Sequence, residues 1–237
     1  MKLILTTLTL LMIGCTNSGK KITEEDIFQK PTPGDSMSYY FPSVLNDSIK
    51  RIGFFFQDFK QKQYSNSLYS FKVPILYNKI DLQTTYRLLW LRSFNQPVCF
   101  SMKEYDGNYY LNAKTLDRHP ESYSTIETHI NESGKSISNT VLKFDQLAII
   151  AFDTTIALKN TQWNEIGNYL SKLSFWKCPI KDTNEVKTTD GSDWIIEGLK
   201  NNKYHFIVRR NAQGTLLDFG KFLIKISGLK IEEEAIY

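Results

Sequence analysis

Histidine and cysteine are scarce in this sequence, and their scarcity limits the chemistry available to the chain. Its 237 residues contain three of each. His119, His129 and His205 are widely separated, and no pair of cysteines lies near any of them. Zinc sites usually have closely spaced histidine and cysteine ligands. We therefore predict that the protein binds no metal and no cofactor.

Motifs of nucleotide-binding and nucleophilic enzymes are missing as well. The chain has no Gly-x-x-x-x-Gly-Lys and no Gly-x-Ser-x-Gly. Asp218-Phe219-Gly220 matches the metal-binding tripeptide of kinases, but the other kinase motifs are absent and we attribute the match to chance. The net charge is only +4, and charges of both signs are interspersed. This charge pattern argues against nucleic acid as a partner.

Long hydrophobic runs are limited to one stretch at the start of the sequence. Leu3 to Ile13 is apolar or small in character, follows Lys2, and ends at Gly14-Cys15. The run is too short to cross ~30 Å of hydrocarbon as a helix. A positive start, a short apolar segment and a small residue before the cleavage point are the layout of a secretory signal.

The segment Leu11-Met12-Ile13-Gly14-Cys15 resembles the bacterial lipoprotein signal, although Met12 stands where that pattern prefers leucine. The resemblance implies removal of residues 1–14 by cleavage between Gly14 and Cys15. It also implies a diacyl thioether on Cys15 and acylation of the new amino terminus. Two or more acyl chains hold a protein stably at a membrane. We expect a lipid-anchored protein of the bacterial cell envelope; the alternative is a secreted protein in which Cys15 is incidental.

Composition divides the remainder into a tether and one domain. Residues 15–42 contain Lys20-Lys21, Glu24-Glu25-Asp26 and Pro31-Thr32-Pro33, and proline-rich segments stay extended. Residues 43–237 are long enough for a single domain and rich in aromatic residues. The first expected element of this domain is a helix from Val44 to Lys62, because apolar residues recur there every three or four positions.

Alternating patterns predict strands in pairs, followed by helices. Asp106-Gly107 between two alternating segments is a strong hairpin signal, and Asn131–Gly134 indicates a second hairpin. A third hairpin surrounds residues 200–203. Helices are expected around Trp163–Leu173, capped by Thr161, and over Leu216–Ser227, ended by Gly228. This order favours an α+β fold, an antiparallel sheet built from hairpins with helices packed on one face.

A turn at Asp106-Gly107 fixes which side chains share a face of the sheet. Phe100, Met102, Tyr109, Leu111 and Ala113 fall on one face, which we expect to be buried. The opposite face carries polar side chains and is expected to be in contact with water: Ser101, Lys103, Asn112 and Lys114. Tyr105 and Tyr110 are aromatic residues on that solvent-facing side of the sheet, and we predict that they contribute to a binding surface.

Glu197, His205 and Arg209 form the least ordinary polar group in the sequence. A two-residue turn at Asn201-Asn202 places His205 and Arg209 on the face of Trp194 and Glu197 on the other. A three-residue turn brings Glu197 to the side of His205 and Arg209, because a slip of one residue reverses the faces. The three residues are therefore candidates for the binding surface or, in the second register, for a hydrolytic site.

Cys99 and Cys178 remain if Cys15 is lipidated. A disulfide between them is conceivable in an oxidising compartment. The predicted register places Cys99 on the polar face, whereas Cys178 follows a helix expected to cover the other face. A disulfide requires Cα atoms within ~7 Å, so we predict two free thiols.

Two further segments resemble a group of uncharacterised bacterial secreted or lipid-anchored proteins. The first is Tyr86–Phe94 with Pro97-Val98, and the second runs from Asp190-Gly191 through Trp194–Gly198 to Arg209-Arg210. The resemblance covers about residues 80–229 and implies no activity. The expected role is a binding module for a protein or cell-wall partner. The alternatives are an envelope hydrolase using Glu197, His205 and Arg209, and an immunity or inhibitor lipoprotein.

Overall fold

The computed structural model describes residues 40–42, 59–77, 79, 81–131, 133–146, 148–182 and 190–237. The signal segment, Cys15 and nearly all of the tether lie outside these residues. So does the part of the expected first helix before Phe59.

The described chain contains three α-helices and eight β-strands. The helices are α1 (Phe59–Ser70), α2 (Asn160–Lys172) and α3 (Thr215–Ser227), and a short 3₁₀ helix follows at Glu233–Ala235. The strands are β1 (Thr85–Arg92), β2 (Asn95–Tyr105), β3 (Asn108–Leu116), β4 (Glu121–Ile130), β5 (Ser136–Gln146), β6 (Ile150–Leu158), β7 (Ser192–Lys200) and β8 (Lys203–Arg210).

Six of the strands form one antiparallel sheet in the order β6-β3-β2-β1-β7-β8, and β4 pairs with β5 separately. The turns follow the local sequence. Tyr105 pairs with Asn108 around Asp106-Gly107, and both turn residues have positive φ, the conformation that a two-residue hairpin turn requires. The predicted α+β fold with an antiparallel sheet of hairpins is confirmed.

One face of the sheet packs against α2 and α3, as expected. Phe100, Met102, Leu111 and Ala113 belong to this core. Its centre is a pair of fully buried indoles, Trp90 and Trp194, whose ring centroids are 4.6 Å apart. Their N–H groups donate to the main-chain oxygen of Tyr237 at 3.1 and 3.2 Å, which satisfies donors that burial removes from water.

The opposite face is also buried, which differs from the predicted wet surface. The helix α1 packs on it through Tyr64 and Leu68, and Phe71, directly after the helix, belongs to the same core. Helices therefore lie on both faces of the sheet. Ser101, Lys103, Asn112 and Lys114 are each less than a tenth exposed. The alternating pattern correctly assigned these side chains to one face but did not predict their burial, because Lys103 and Lys114 are buried beside carboxylate partners. Those partners are Asp81 and Asp153, at 3.8 and 3.2 Å.

The domain also includes residues that we assigned to the tether. Tyr40 and Phe41 are 1% and 0% exposed and belong to the second core. The hydroxyl of Tyr40 donates to the carbonyl of Val73 at 2.9 Å, and the Gln61 amide donates to the carbonyl of Phe41 at 2.6 Å. Tyr40 and Phe41, which precede the expected boundary at residue 43, therefore pack with the residues of the domain.

Candidate functional site

The carboxylate of Glu197 lies inside the protein, opposite Arg87 on the neighbouring strand. Arg87 Nη1 donates to Glu197 Oε2 at 3.0 Å, and the Tyr204 hydroxyl donates to Oε1 at 3.0 Å. Burial raises the pKa of Glu197, and the Arg87 charge opposes that increase. Glu197 is 0% exposed, so it does not contribute to a binding surface, which corrects the prediction.

His205 and Arg209 hold a loop against the edge strand β8. His205 Nε2 contacts the carbonyl oxygen of Cys178 at 3.2 Å. Arg209 donates to the carbonyls of Pro179 and Ile180 at 2.9 and 3.0 Å. Burial lowers the pKa of His205, which favours the neutral ring in this position. Both side chains therefore have structural partners.

The register of β7 and β8 separates Glu197 from His205 and Arg209. Lys200 pairs with Lys203, so Asn201 and Asn202 form the two-residue turn, each with positive φ. His205 and Arg209 then lie opposite Gly198 and Trp194, whereas Glu197 points to the other face. The hydrolytic site that required these three side chains together is not formed.

Tyr105 and Tyr110 lie at the end of the β2–β3 hairpin, on the second face of the sheet. Both are half-buried, and the Lys103 ammonium is 5.9 Å from the centroid of the Tyr105 ring. Burial lowers the pKa of Lys103, and the nearby Asp81 carboxylate opposes that effect. The two tyrosines remain partly accessible, but Glu197, His205 and Arg209 do not join them in one surface.

The two cysteines that the structure describes, Cys99 and Cys178, are both free thiols. Cys99 lies on the second face and is 1% exposed, and burial raises its pKa to about 11. Cys178 is half-buried and packs against the first core. A buried thiol with a raised pKa is a poor nucleophile, so Cys99 has the properties of a core residue.

Arg87 was missed as an important residue in the sequence, although a signal was present. It interrupts the apolar strand segment between Tyr86 and Leu88-Leu89. A charged residue inside a strand whose neighbours are all apolar indicates a buried ion pair as readily as a solvent-facing position. Its partner is 110 positions away in the sequence, so only the folded chain identifies Glu197.

The β4–β5 hairpin, which we call the finger (residues 121–146), pairs as a separate two-stranded ribbon outside the six-stranded sheet. It is inserted between β3 and β6, which pair directly with each other up to Leu116 and Ile150. Two hydrogen bonds close its base: the Asp117 N–H donates to the Ile149 carbonyl, and the Ile149 N–H donates to Asp117 Oδ1, at 2.9 and 2.8 Å. The finger therefore extends a hairpin of the main sheet.

The tip of the finger is an ordered turn. Asn131 Oδ1 accepts hydrogen bonds from the N–H groups of Ser133 and Lys135 at 3.1 and 2.8 Å and from the Ser133 hydroxyl at 2.7 Å. The Gly134 N–H donates to the Asn131 carbonyl at 2.8 Å, and Gly134 has a φ of 76°. A single asparagine thus fixes the turn.

Two isoleucines beside this turn are exposed. Ile130 is 76% and Ile137 43% exposed. Ile130 lies opposite Ser136, and Ile137 lies opposite His129. Because successive side chains of a strand alternate between faces, the two isoleucines are on opposite sides of the ribbon. The tip therefore presents apolar surface on both of its faces.

Two structural features were sought in the part of the chain that the structure describes, a group of metal-ligating side chains and a long apolar helix. No three histidine, cysteine, aspartate or glutamate side chains within it are grouped as metal ligands. No helix in that part is both long and apolar enough to span a membrane.

Comparison with known proteins gives no relative: no protein family, no curated protein and no solved structure matches this chain.

Proposed function

We propose that this is a lipid-anchored protein of the bacterial cell envelope whose domain binds a partner protein through the finger. The observation that carries the proposal is the tip, where an ordered turn presents Ile130 and Ile137 to solvent. The lipoprotein-like signal ending at Cys15 supports the location, since it directs acylation outside the cytoplasm.

The physical argument for a partner begins with the pairing of the finger, since among the described strands β4 pairs only with β5. A two-stranded ribbon is at best marginally stable in water. Removal of the exposed Ile130 and Ile137 side chains from water is favourable, by about 25 cal/mol for each Å² of apolar surface buried. A partner that covers the tip supplies this burial.

The turn also reduces the cost of binding. Affinity is lost when a flexible segment must be ordered on association, and a pre-organised segment avoids that loss. Asn131 holds the turn through three side-chain hydrogen bonds. The tip is therefore already ordered before a partner arrives.

The test compares the partners recovered by the full-length anchored protein and by three variants after cross-linking in intact cells. Ile130→Ser/Ile137→Ser removes the apolar tip, and Asn131→Ala loosens the turn. Leu82→Ser is the matched control, because Leu82 is 77% exposed but lies before β1, in another part of the chain. We expect one cross-linked partner to be lost in the double variant, reduced in Asn131→Ala and retained in Leu82→Ser. Equal recovery by all four proteins would reject the finger as the binding element.

The anchor is tested separately with Cys15→Ala. Without the thiol there is no acylation site, so the protein should leave the membrane fraction while the domain keeps its melting temperature. Unchanged retention in the membrane fraction contradicts lipidation of Cys15. This outcome is independent of the finger, because the variant leaves Ile130, Asn131 and Ile137 in place.

A further inference from the structure

The two edge strands of the six-stranded sheet, β8 and β6, differ in the chain segments that pair with them. Along β8, the Val208 N–H donates to the Ile180 carbonyl at 2.7 Å, and Lys181 forms a parallel bridge with Val208. Arg209 and His205 fasten the same loop. On β6, by contrast, β3 is the only strand paired with it among those that the structure describes. One edge is therefore partly covered, and the other, which we call the available edge, has no further strand beside it among the described residues.

Over Phe152–Leu158, the available edge lacks several of the features that normally prevent strand addition. Natural edge strands are protected by lysine, by proline or by charges that face inward. The sequence of β6 is Ile-Ala-Phe-Asp-Thr-Thr-Ile-Ala-Leu, which contains no lysine, arginine or proline. Its one charge, Asp153, already pairs with Lys114 at 3.2 Å. An unprotected edge of this kind is a ready template for another strand.

The strand is close to palindromic in an antiparallel arrangement with itself. With a two-fold axis at Thr154, Thr154 lies opposite Thr154 of the other copy. Phe152 lies opposite Ile156, and Asp153 lies opposite Thr155. Aromatic residues opposite β-branched residues, and threonine opposite threonine, are favourable cross-strand pairs. No like charges oppose each other.

The arrangement also agrees with the faces of the sheet. Phe152 and Ile156 both pack against the core under α2 and α3, so in the antiparallel pair they extend that apolar layer from one copy to the next. A register shift between Thr115 and Leu116, opposite Ala151, interrupts the ladder at the start of β6. With the axis at Thr154, the regular stretch that both copies can pair is therefore Phe152–Ile156, because Ala157 would lie opposite Ala151.

We infer that two copies of this chain associate through β6, edge to edge and antiparallel, to form one continuous sheet about a two-fold axis at Thr154. Such an interface uses the same surface on both copies and closes on itself. It yields a dimer and not a filament, because loop 178–181 covers part of the opposite edge. This inference stands apart from the proposed role of the finger.

Cysteine cross-linking of the full-length protein in membranes tests the axis directly. Residues directly opposite each other in an antiparallel pair have Cα atoms about 4.5–5.5 Å apart, within the range that a disulfide spans. Thr154→Cys should therefore form a disulfide-linked dimer when air oxidises the two thiols. In Ala157→Cys, the matched control on the same strand, the two cysteines would be about 20 Å apart at ~3.3 Å per residue. Cross-linking of both variants, or of neither, overturns the inference; the unsubstituted chain gives the background from Cys99 and Cys178.

Charge substitutions at Thr155 provide a second test that needs no disulfide. The symmetric interface contains two equivalent pairs, in each of which Thr155 of one copy lies opposite Asp153 of the other. Thr155→Lys should strengthen association and Thr155→Glu should weaken it, each by roughly two- to thirtyfold for two such pairs. Sedimentation of the detergent-solubilised full chain measures the monomer–dimer equilibrium, and melting temperatures confirm that both variants fold. A monomer for the unsubstituted protein at all concentrations, or equal dissociation constants for the two variants, contradicts the β6 interface.

Discussion

Arg87 and Glu197 form an ion pair that water scarcely reaches: Nη1 and Oε2 are 3.0 Å apart, and each side chain is 1% exposed. The pair is completed by two neutral partners. Arg87 Nη2 donates to the Pro74 carbonyl at 2.6 Å, and Tyr204 donates to the Glu197 carboxylate. The pair joins β1 to β7 at the centre of the sheet and connects both strands to the loop after α1.

Loss of one partner should cost far more than loss of both charges. Arg87→Met leaves a buried carboxylate without its counter-charge, and such changes cost about 3–5 kcal/mol. Arg87→Met/Glu197→Gln should recover most of this loss, because the amide is neutral and still accepts from Tyr204. Denaturant unfolding of the two variants measures the difference.

The exposed pair Lys221–Glu233 is the control for this experiment. Its side chains are 42% and 84% exposed, and exposed pairs contribute only about 0–1 kcal/mol. Lys221→Met should therefore change stability little. If Arg87→Met costs no more than Lys221→Met, the buried pair does not hold β1 to β7 as the structure indicates.

Gly220 and Gly167 should respond to alanine in opposite directions, although both lie in helices. A Cβ on Gly220 would be 2.3 Å from Cζ3 of Trp194, whereas one on Gly167 would meet nothing within 4 Å. Gly220→Ala should destabilise the protein by about 1–3 kcal/mol through overpacking. Gly167→Ala should stabilise it by about 0.5–1 kcal/mol.

Thermal unfolding distinguishes the two glycine variants, since about 1 kcal/mol shifts the melting temperature by roughly 2–4 °C in a protein of this size. Stabilisation by Gly220→Ala would contradict the close approach of α3 to Trp194, whereas destabilisation by Gly167→Ala would contradict the open space beside Gly167. Destabilisation by Gly220→Ala would also explain the glycine of Asp218-Phe219-Gly220 by the packing of α3 against Trp194.

The β2–β3 turn and its register could be predicted from local sequence, but the β7–β8 register and the environment of each face could not. Asp106-Gly107 fixed the β2–β3 register correctly because a two-residue turn leaves no freedom in the pairing. At Asn201-Asn202 two turn lengths remained open, since both asparagines tolerate positive φ and the strand pattern fits either. The fold selects the register that places Trp194 in the core and Glu197 beside Arg87.

The helix α1 shows why some elements escape prediction. The apolar stripe predicted a helix over 44–62, but the described helix continues to Ser70 through a polar sequence. Its Ser67 and Ser70 hydroxyls donate to the carbonyls of Gln63 and Asn66, at 2.9 and 3.0 Å. Because these buried residues are serines whose hydroxyls are hydrogen-bonded, they produce no periodic pattern of apolar residues in the sequence. Their position depends on the sheet beneath them, which local sequence does not describe.

His205 should make the protein less stable in mildly acidic solution. Its folded-state pKa is lowered by burial, whereas an unfolded histidine has a pKa of about 6.5. The unfolded state therefore binds more protons just below pH 6.5, and the free energy of unfolding falls as the pH decreases. His205→Gln should flatten this dependence between about pH 7.5 and 5.5. An unchanged slope would show that His205 is not the responsible group.

The two described thiols should react with an alkylating reagent at very different rates. Cys178 is half-buried, whereas Cys99 is 1% exposed and has a pKa raised to about 11 by burial. Little of the Cys99 thiol is ionised at pH 8, and the thiolate is the reactive form. Mass spectrometry should show one rapid modification, absent in Cys178→Ser, and modification of Cys99 only on unfolding. Rapid labelling of Cys99 in the native protein would contradict its burial.

Removal of the finger should leave the rest of the domain folded. Its strands pair with each other, and its base is closed by Asp117 and Ile149, at a position where β3 and β6 are already paired. Replacing residues 121–146 with a short Asn-Gly connection preserves that pairing and its hydrogen bonds. We expect the melting temperature to change by only a few degrees, because the exposed tip contributes no core contacts through Ile130 or Ile137. Circular dichroism and thermal unfolding measure this, while cross-linking in cells reports the loss of the partner. A shortened protein that fails to fold would instead make the finger part of the scaffold, and Ile130→Ser/Ile137→Ser would then be the variant that separates binding from stability.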